Sequence, residues 1–388
     1  MEIVLIKIAY YMTTILEHGG GLENYIIDTV SELQNRGIEA DVLTMNDSYT
    51  KHITNILTVV TRKKIGGKLN YKISNESIKS RLGKARYLKI DDVKKLRSQL
   101  NEYDIVYSKA ELLEALFFKF VVGYKNIPPV IFGCHTPAKY EHPKSLLSKL
   151  HNLIYGGKIY KYLVGEVAAF HVLNSEEKNF YKKSFPNTPI FMLPNPFNKS
   201  KFVATARLNR SRIADSNDKK ILWVGRLTEQ KGVDDLLLLI DYINSCKLSV
   251  SLHIVGDGER RADIIGAVKS NRFVNFYGWK DKKFMASIYS QMDLFVSTSK
   301  WEAYPYNLLE ARAFCLPIVT YRIPGVLDTM SGYEPVFYAE NVKGLLPCIS
   351  LALDDRTKKI DDNFPDYRLA YDNLYQMFRE VNFEHSHN

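Results

Sequence analysis

Short apolar runs alternate with stretches of helical periodicity from the start of the chain, pause, and then start again. Ile3–Ile8 reads as a strand, Leu22–Arg36 as a helix and Glu39–Thr44 as a second strand. Strands are expected again at Asp104–Tyr107, Pro129–Gly133, Ala168–Leu173 and Phe191–Leu193. Helical patterns lie near Asp91–Leu100, Ala110–Val121, Lys144–Leu163 and Ser175–Lys183. A polar stretch of mixed charge follows, rich in Asn, Ser and Lys. The alternation then resumes, with strands expected at Ile221–Val224, Leu248–Val255, Val274–Tyr277, Leu294–Ser297 and Pro317–Thr320. Strands this uniformly apolar are buried on both faces, which requires a mainly parallel sheet covered by helices on either side. Run through twice, the pattern predicts an α/β chain of two Rossmann-like domains. The expected divisions are 1–198, a linker at 199–218, 219–365, and a C-terminal helix and tail at 366–388. That last helix, Tyr367–Val381, sets Leu369, Leu374, Met377, Phe378 and Val381 on one face and is expected to pack back on the body.

At 388 residues the chain is long enough for two such cores. No run of about 18 uninterrupted apolar residues occurs; the best, Leu112–Val122, is broken by Glu114 and Lys119. Residues 2–8 are too short and too charged for a signal peptide, so the expected setting is cytoplasmic. Cys134, Cys246, Cys315 and Cys348 are far apart, have no metal-ligand spacing and fit reduced thiols. The net charge of +10 is concentrated: between residues 61 and 89 ten Lys and Arg face one acid, Glu76. Such a segment is either a solvated loop or an attachment to an anionic surface, whether acidic lipid or a polyanion.

Three places carry the chemistry. Trp301-Glu302-Ala303-Tyr304-Pro305-Tyr306-Asn307-Leu308-Leu309-Glu310 puts one glutamate in the loop after an apolar strand and another inside the helix that follows. Pro305 suits the first turn of that helix. Carboxylates at a strand's carboxyl end lie where open α/β sheets bind ligands, and each accepts two hydrogen bonds from a diol. The strand Ile221–Val224 runs into Gly225-Arg226-Leu227-Thr228-Glu229-Gln230-Lys231-Gly232, where two cations beside a helix N-terminus suit a diphosphate. Gly133-Cys134-His135-Thr136-Pro137 ends a strand of the first half and turns His135 toward the ligand side of its sheet. Gly19-Gly20-Gly21, after the first strand, lets backbone approach a bulky ligand, but it lacks the spacing of the dinucleotide fingerprint.

Taken in this order, these motifs resemble the retaining GT-B glycosyltransferases of family four over nearly the whole chain, least so at 46–100 and 199–218. The resemblance implies two Rossmann-like domains facing across a cleft. It gives catalytic roles to four residues: Arg226 and Lys231 on the diphosphate of a nucleotide-sugar, Glu302 on the sugar hydroxyls, and His135 near the transferred sugar. Gly20, Gly21, Tyr306 and Asn307 would complete the anion site, Glu310 would hold the ribose, and Trp279 would neighbour the base. Ala303, Tyr306 and Cys315 stand where glycine is common, and Pro324-Gly325-Val326-Leu327-Asp328 replaces a Gly-Gly-x-x-Glu element.

The implied reaction is transfer with retention, giving an α-glycosidic bond. With no Asp-x-Asp in the chain, the cations take the place of a metal, and no cofactor is expected beyond the nucleotide-sugar donor. The first domain would bind the acceptor, a lipid-linked or cell-surface glycan. The enzyme would then lie at the inner face of the cell membrane through residues 61–89 and 144–162, unless the latter stretch is an amphipathic helix packed on the core. Two alternatives stand beside this: a non-catalytic sugar-binding or partner subunit, and a protein acting on nucleic acid. Tyr71 and Tyr87 are sparse stacking aromatics for a single-strand platform, which weighs against the last.

Overall fold

The computed structural model describes residues 6–12, 21–44, 62–64, 72–73, 86–87, 90–140, 143, 145–208, 218–245, 249–269, 271–354 and 363–387. The chain divides into two compact units. The first comprises Met1–Lys139, Ser145–Pro196 and Arg368–Asn388; the second comprises Tyr140–Lys144 and Phe197–Tyr367.

The first unit opens with β1 (Ile8–Met12), α1 (Gly21–Asn35), β2 (Ala40–Thr44) and β3 (Arg62–Lys64). Two short strands follow, β4 (Lys72–Ile73) and β5 (Arg86–Tyr87), then α2 (Ile90–Leu100), β6 (Ile105–Lys109) and α3 (Leu112–Leu116). Beyond α3 the helix loosens into a π-helical turn over Phe117–Val122. The unit continues with β7 (Val130–Cys134), α4 (Leu146–Tyr155), α5 (Lys158–Val164), β8 (Ala169–Val172), α6 (Ser175–Ser184) and β9 (Ile190–Met192). Its main sheet has seven strands in the order β3-β2-β1-β6-β7-β8-β9, all parallel. Every residue of β1, β6, β7 and β8 is buried, as near-continuous apolar strands require when helices cover both faces.

The second unit runs α7 (Lys199–Leu208), β10 (Lys219–Val224), α8 (Val233–Ser245), β11 (Val250–Val255), α9 (Arg261–Lys269) and β12 (Val274–Phe276). It continues with α10 (Lys282–Tyr289), β13 (Leu294–Val296), α11 (Tyr306–Ala313), β14 (Ile318–Tyr321), α12 (Pro324–Thr329), β15 (Val336–Ala339) and α13 (Val342–Asp354). Its six parallel strands lie in the order β12-β11-β10-β13-β14-β15. Ile221, Leu222, Leu252, Ile254, Leu294, Phe295 and Ile318 are fully enclosed. Each contributes about 1.5–3 kcal/mol of burial. The terminal helix α14 (Tyr367–His387) belongs, from Arg368 onward, to the first unit.

The structure departs from the sequence reading in four places, the first being β1, which runs Ile8–Met12 rather than Ile3–Ile8. The helical pattern of Lys144–Leu163 is two helices parted at Gly156–Gly157. The stretch read as a linker at 199–218 opens with α7, a helix of the second unit. Helix α14 continues past Val381 to His387, and Leu369 on it is exposed while Ala370 and Tyr371 are buried in its place. The basic segment 61–89 lies outside the described residues except for β3, β4 and β5.

Candidate functional site

In each sheet the strand order reverses direction beside the first strand of the unit. The gap between the loops leaving that strand and its later neighbour is where a ligand fits. In the second unit those loops leave β10 and β13. The β10 loop carries Arg226, Gln230 and Lys231, and is laced to the β13 loop by side chains. The Trp223 indole donates to Thr298 Oγ1 (3.0 Å), Thr298 donates to the Lys231 carbonyl (2.7 Å), and the Lys300 amide donates to the Gln230 carbonyl (2.7 Å). Gly232 closes the lacing. Its φ is +65°, and a Cβ there would lie 2.0 Å from the Thr298 carbonyl oxygen, so no side chain fits.

Lys231 forms an ion pair with Glu302, whose side chain is only 8% exposed. Gln230 donates to the Trp301 carbonyl (3.2 Å) and to Glu302 Oε2 (3.4 Å), and accepts from Arg226 (3.4 Å). Arg226, Lys231 and Glu302 thus meet through Gln230, a residue the sequence reading passed over although it lies beside Lys231. Arg226 is exposed, and Gln230 is its hydrogen-bond partner among the described residues. Pro305 lies just outside α11 rather than in its first turn, with φ −76° and ψ 118°, and the helix begins at Tyr306. The Tyr306 ring turns toward Phe197 (centroids 6.4 Å apart), and the Asn307 amide donates to the Val224 carbonyl (2.8 Å), pinning the helix start to the end of β10. The backbone N–H groups of Tyr306 and Asn307 therefore sit in the first turn of a helix beside Arg226 and Lys231.

Glu310 lies half-buried one turn further along α11. Burial pushes its carboxyl up to about 7, against the opposing pull of the Tyr289 hydroxyl, Lys282 and Lys231. Lys231 thus acts electrostatically on both glutamates. Trp279 does not join this cluster: it follows β12 at the edge of the sheet and is 62% exposed, so it is not a core aromatic. Gly325 keeps the second glycine of the family's Gly-Gly-x-x-Glu element, and a Cβ there would lie 2.1 Å from the Glu302 carbonyl oxygen and 2.5 Å from that of Ala303.

In the first unit, Gly21 is the first residue of α1; Gly20 lies outside the described residues. His135 follows β7 and lines a small cleft with Lys109, Ala110, Glu111, Gly133 and Thr136. Burial, then the neighbouring His171, hold its imidazole well below the usual histidine range, so it is neutral at pH 7. The nearly buried Lys109, at the end of β6, contacts Glu111 (2.7 Å) and Glu114 (3.4 Å). Burial pulls its ammonium down, but the two carboxylates outweigh that and hold it above its ordinary range. The sequence reading missed Lys109 and Glu111; the signal available was a lysine ending an otherwise apolar strand.

Comparison with known proteins bears on what these two sites do. Residues 206–364 match the model of the glycosyl transferases group 1, and residues 19–201 that of glycosyltransferase family 4. The chain is 27% identical over 207 residues to an uncharacterized glycosyltransferase of Haemophilus influenzae, covering 50% of this chain and 56% of that protein. It is 23% identical over 315 residues to the O-antigen biosynthesis glycosyltransferase WclY of Escherichia coli, covering 74% of this chain and 83% of that one. The chain therefore spans about half the length of the first of these relatives. Among solved structures, HepE of Anabaena, crystallised with UDP and glucose, superposes with a TM-score of 0.70 at 16% identity, covering 97% of this chain and all of that one.

Proposed function

The chain belongs to the glycosyl transferases group 1, in glycosyltransferase family 4, and on that footing we propose that it is a retaining glycosyltransferase. It moves a sugar from a nucleoside-diphosphate donor to an acceptor hydroxyl, forms an α-linkage and uses no metal ion. The observation that carries this reading is the meeting of two cations and two carboxylates at the switch point of the second sheet. Departure of the diphosphate builds positive character on the sugar and negative charge on the phosphate. Arg226, Lys231 and the first turn of α11 oppose that negative charge. Glu302 accepts from sugar hydroxyls and Glu310 from the ribose. With no nucleophile assigned at the reacting carbon, the departing phosphate takes the acceptor's proton as the acceptor oxygen attacks from the same face.

A donor screen by calorimetry and nucleotide release tests the reading, with UDP-, GDP- and ADP-sugars offered in EDTA. UDP-glucose comes first, since HepE was solved with UDP and glucose. The expected result is micromolar binding of one donor and turnover that EDTA leaves intact. Lys231→Ala should lower that turnover by roughly a hundredfold to a thousandfold, the effect of losing one preorganised partner of developing charge. Failure of every nucleotide-sugar to bind would refute the enzyme.

The proposed acceptor is a lipid-linked or cell-surface glycan, in keeping with the O-antigen assignment of WclY. Supporting a membrane setting, α4 and α5 turn apolar side chains outward: Leu146 is 82% exposed, Leu153 73%, Ile159 68% and Tyr162 60%. Lys149, Lys158 and Lys161 are exposed among them, while Tyr155, Tyr160 and Leu163 fill the core side. Phe120, 64% exposed, extends the face beside Tyr162. An apolar surface interleaved with lysines suits the interface of an anionic bilayer. No described helix is long and apolar enough to cross a membrane.

A further inference from the structure

The His135 side chain ends a line of three hydrogen bonds that runs back into the core of the first unit. His171 Nε2 lies 3.0 Å from the Leu193 carbonyl oxygen, and His171 Nδ1 lies 2.8 Å from the Tyr107 hydroxyl. The same hydroxyl lies 2.8 Å from His135 Nε2. A carbonyl oxygen only accepts, so His171 carries its proton on Nε2. Burial lowers that imidazole to about 4, so the ring is neutral and its Nδ1 accepts from the Tyr107 O–H. The tyrosine has then given its one proton, and its contact with His135 is satisfied only if His135 Nε2–H donates. The Leu193 carbonyl at one end thus sets the direction of every bond to the other. His135 keeps a bare lone pair on Nδ1, and no described residue is hydrogen-bonded to it.

We propose that Tyr107 and His171 are positioning residues that lock His135 in the Nε2–H tautomer, so that Nδ1 offers a fixed acceptor to a hydroxyl of the transferred sugar. The proposal rests on the transferase reading and deepens it: the group facing His135 must be a hydrogen-bond donor. The backbone is shaped for the relay. Gly133 pairs with His171 across β7 and β8, and a Cβ at Gly133 would fall 2.0 Å from the Tyr107 hydroxyl and 2.8 Å from His135 Nε2. The Tyr25 ring packs on the His135 imidazole at 4.4 Å and holds its plane.

The tautomer is read directly, without turnover, from the ring-nitrogen resonances of the full chain labelled with 15N-histidine, assigned with His135→Gln. The wild type should show His135 protonated on Nε2 and bare on Nδ1 from pH 6 to 8. Tyr107→Phe keeps the ring but removes the hydroxyl; it should mix the tautomers and lower kcat by about tenfold to a hundredfold. Its affinity for the nucleoside diphosphate, whose proposed side-chain ligands Arg226 and Lys231 lie in the second unit, should stay unchanged. His171→Gln retains one donor for Leu193 and one acceptor for Tyr107, and should preserve both tautomer and rate. His171→Leu should lose both. A wild-type His135 protonated on Nδ1 overturns the proposal, as does wild-type kcat in Tyr107→Phe. If no nucleotide-sugar binds at all, the transferase reading fails and the sugar contact with it. A failed relay on an active enzyme instead shows up in the resonances or in an unaltered rate of Tyr107→Phe.

Discussion

Replacing Glu310 by glutamine probes the second-unit site through its charge while keeping its shape. An acid whose folded pKa exceeds its unfolded one binds more protons when folded, at any pH between the two. For Glu310 those limits are the ordinary 4.5 and about 7. Its contribution to stability is therefore complete below the lower limit and is lost as pH rises toward the upper one. At about 1.4 kcal/mol per pH unit, ionisation costs the fold about 3 kcal/mol at pH 8 and under about 1 kcal/mol at pH 5. The neutral amide avoids that cost, so Glu310→Gln should be more stable than wild type by about those amounts at each pH. Trp223, Trp279 and Trp301 are the chain's three tryptophans and all belong to the second unit, so urea unfolding followed by their fluorescence reports on this unit. Nucleotide affinity should move the other way. In the wild type it should tighten as the carboxylate ionises through about 7; in the glutamine variant it should be weaker and flat with pH. Carboxylates at binding sites are expected to cost stability in this manner. An equal stability difference at pH 5 and pH 8, or a glutamine variant less stable than wild type at pH 8, would refute the reasoning.

Cys315 is the one described non-glycine residue with positive φ, at 53°, and it sits at the left-handed position that ends α11. Its amide donates to the Arg312 carbonyl (3.0 Å), and that of Leu316 donates to Ala311 (3.2 Å), the paired bonds of a Schellman turn. Cys315→Gly should relieve about 1–2 kcal/mol of steric strain, partly offset by glycine's entropy, and raise Tm by about 1–3 °C. Cys315→Ala keeps the strain and should not raise it; an equal rise in both would sink the strain argument. On α4, Leu150→Asp combined with Leu153→Asp changes two exposed residues and should leave the fold intact. Sedimentation with phosphatidylglycerol vesicles should then weaken by at least roughly tenfold, and rising salt should weaken the wild type. Undiminished sedimentation of the double variant would show that this face does not meet lipid.

The parallel sheets, the loops that carry Arg226, Lys231 and Glu302, and the helix that carries Glu310 were legible because all depend on local pattern. An apolar strand followed by glycine and charge marks a strand's carboxyl end, and that end is the ligand side whatever the rest of the sheet does. The single helix expected over 144–163 failed for an equally local reason: Gly156–Gly157 interrupts a periodicity that continues on either side. Leu369 failed because a helix face is only one side of a contact. Which apolar residues are covered depends on the partner surface, here the rings of Tyr10 and Tyr107, which meet Phe378. The residues missed outright are those whose meaning lies in a distant partner. Gln230 reaches Glu302 across 72 positions, and Tyr107 reaches His171 across 64. Tyr107 in Ile105-Val106-Tyr107-Ser108-Lys109 and His171 in Ala169-Phe170-His171-Val172 read as core residues of buried strands, and they are. What marks them is that each carries a polar tip into a place without water, so each must find a partner there. Two such tips on strands flanking β7, with Gly133 between them, leave room for one hydrogen-bonded line. Its open end is the histidine that the strand's last turn delivers to the ligand side.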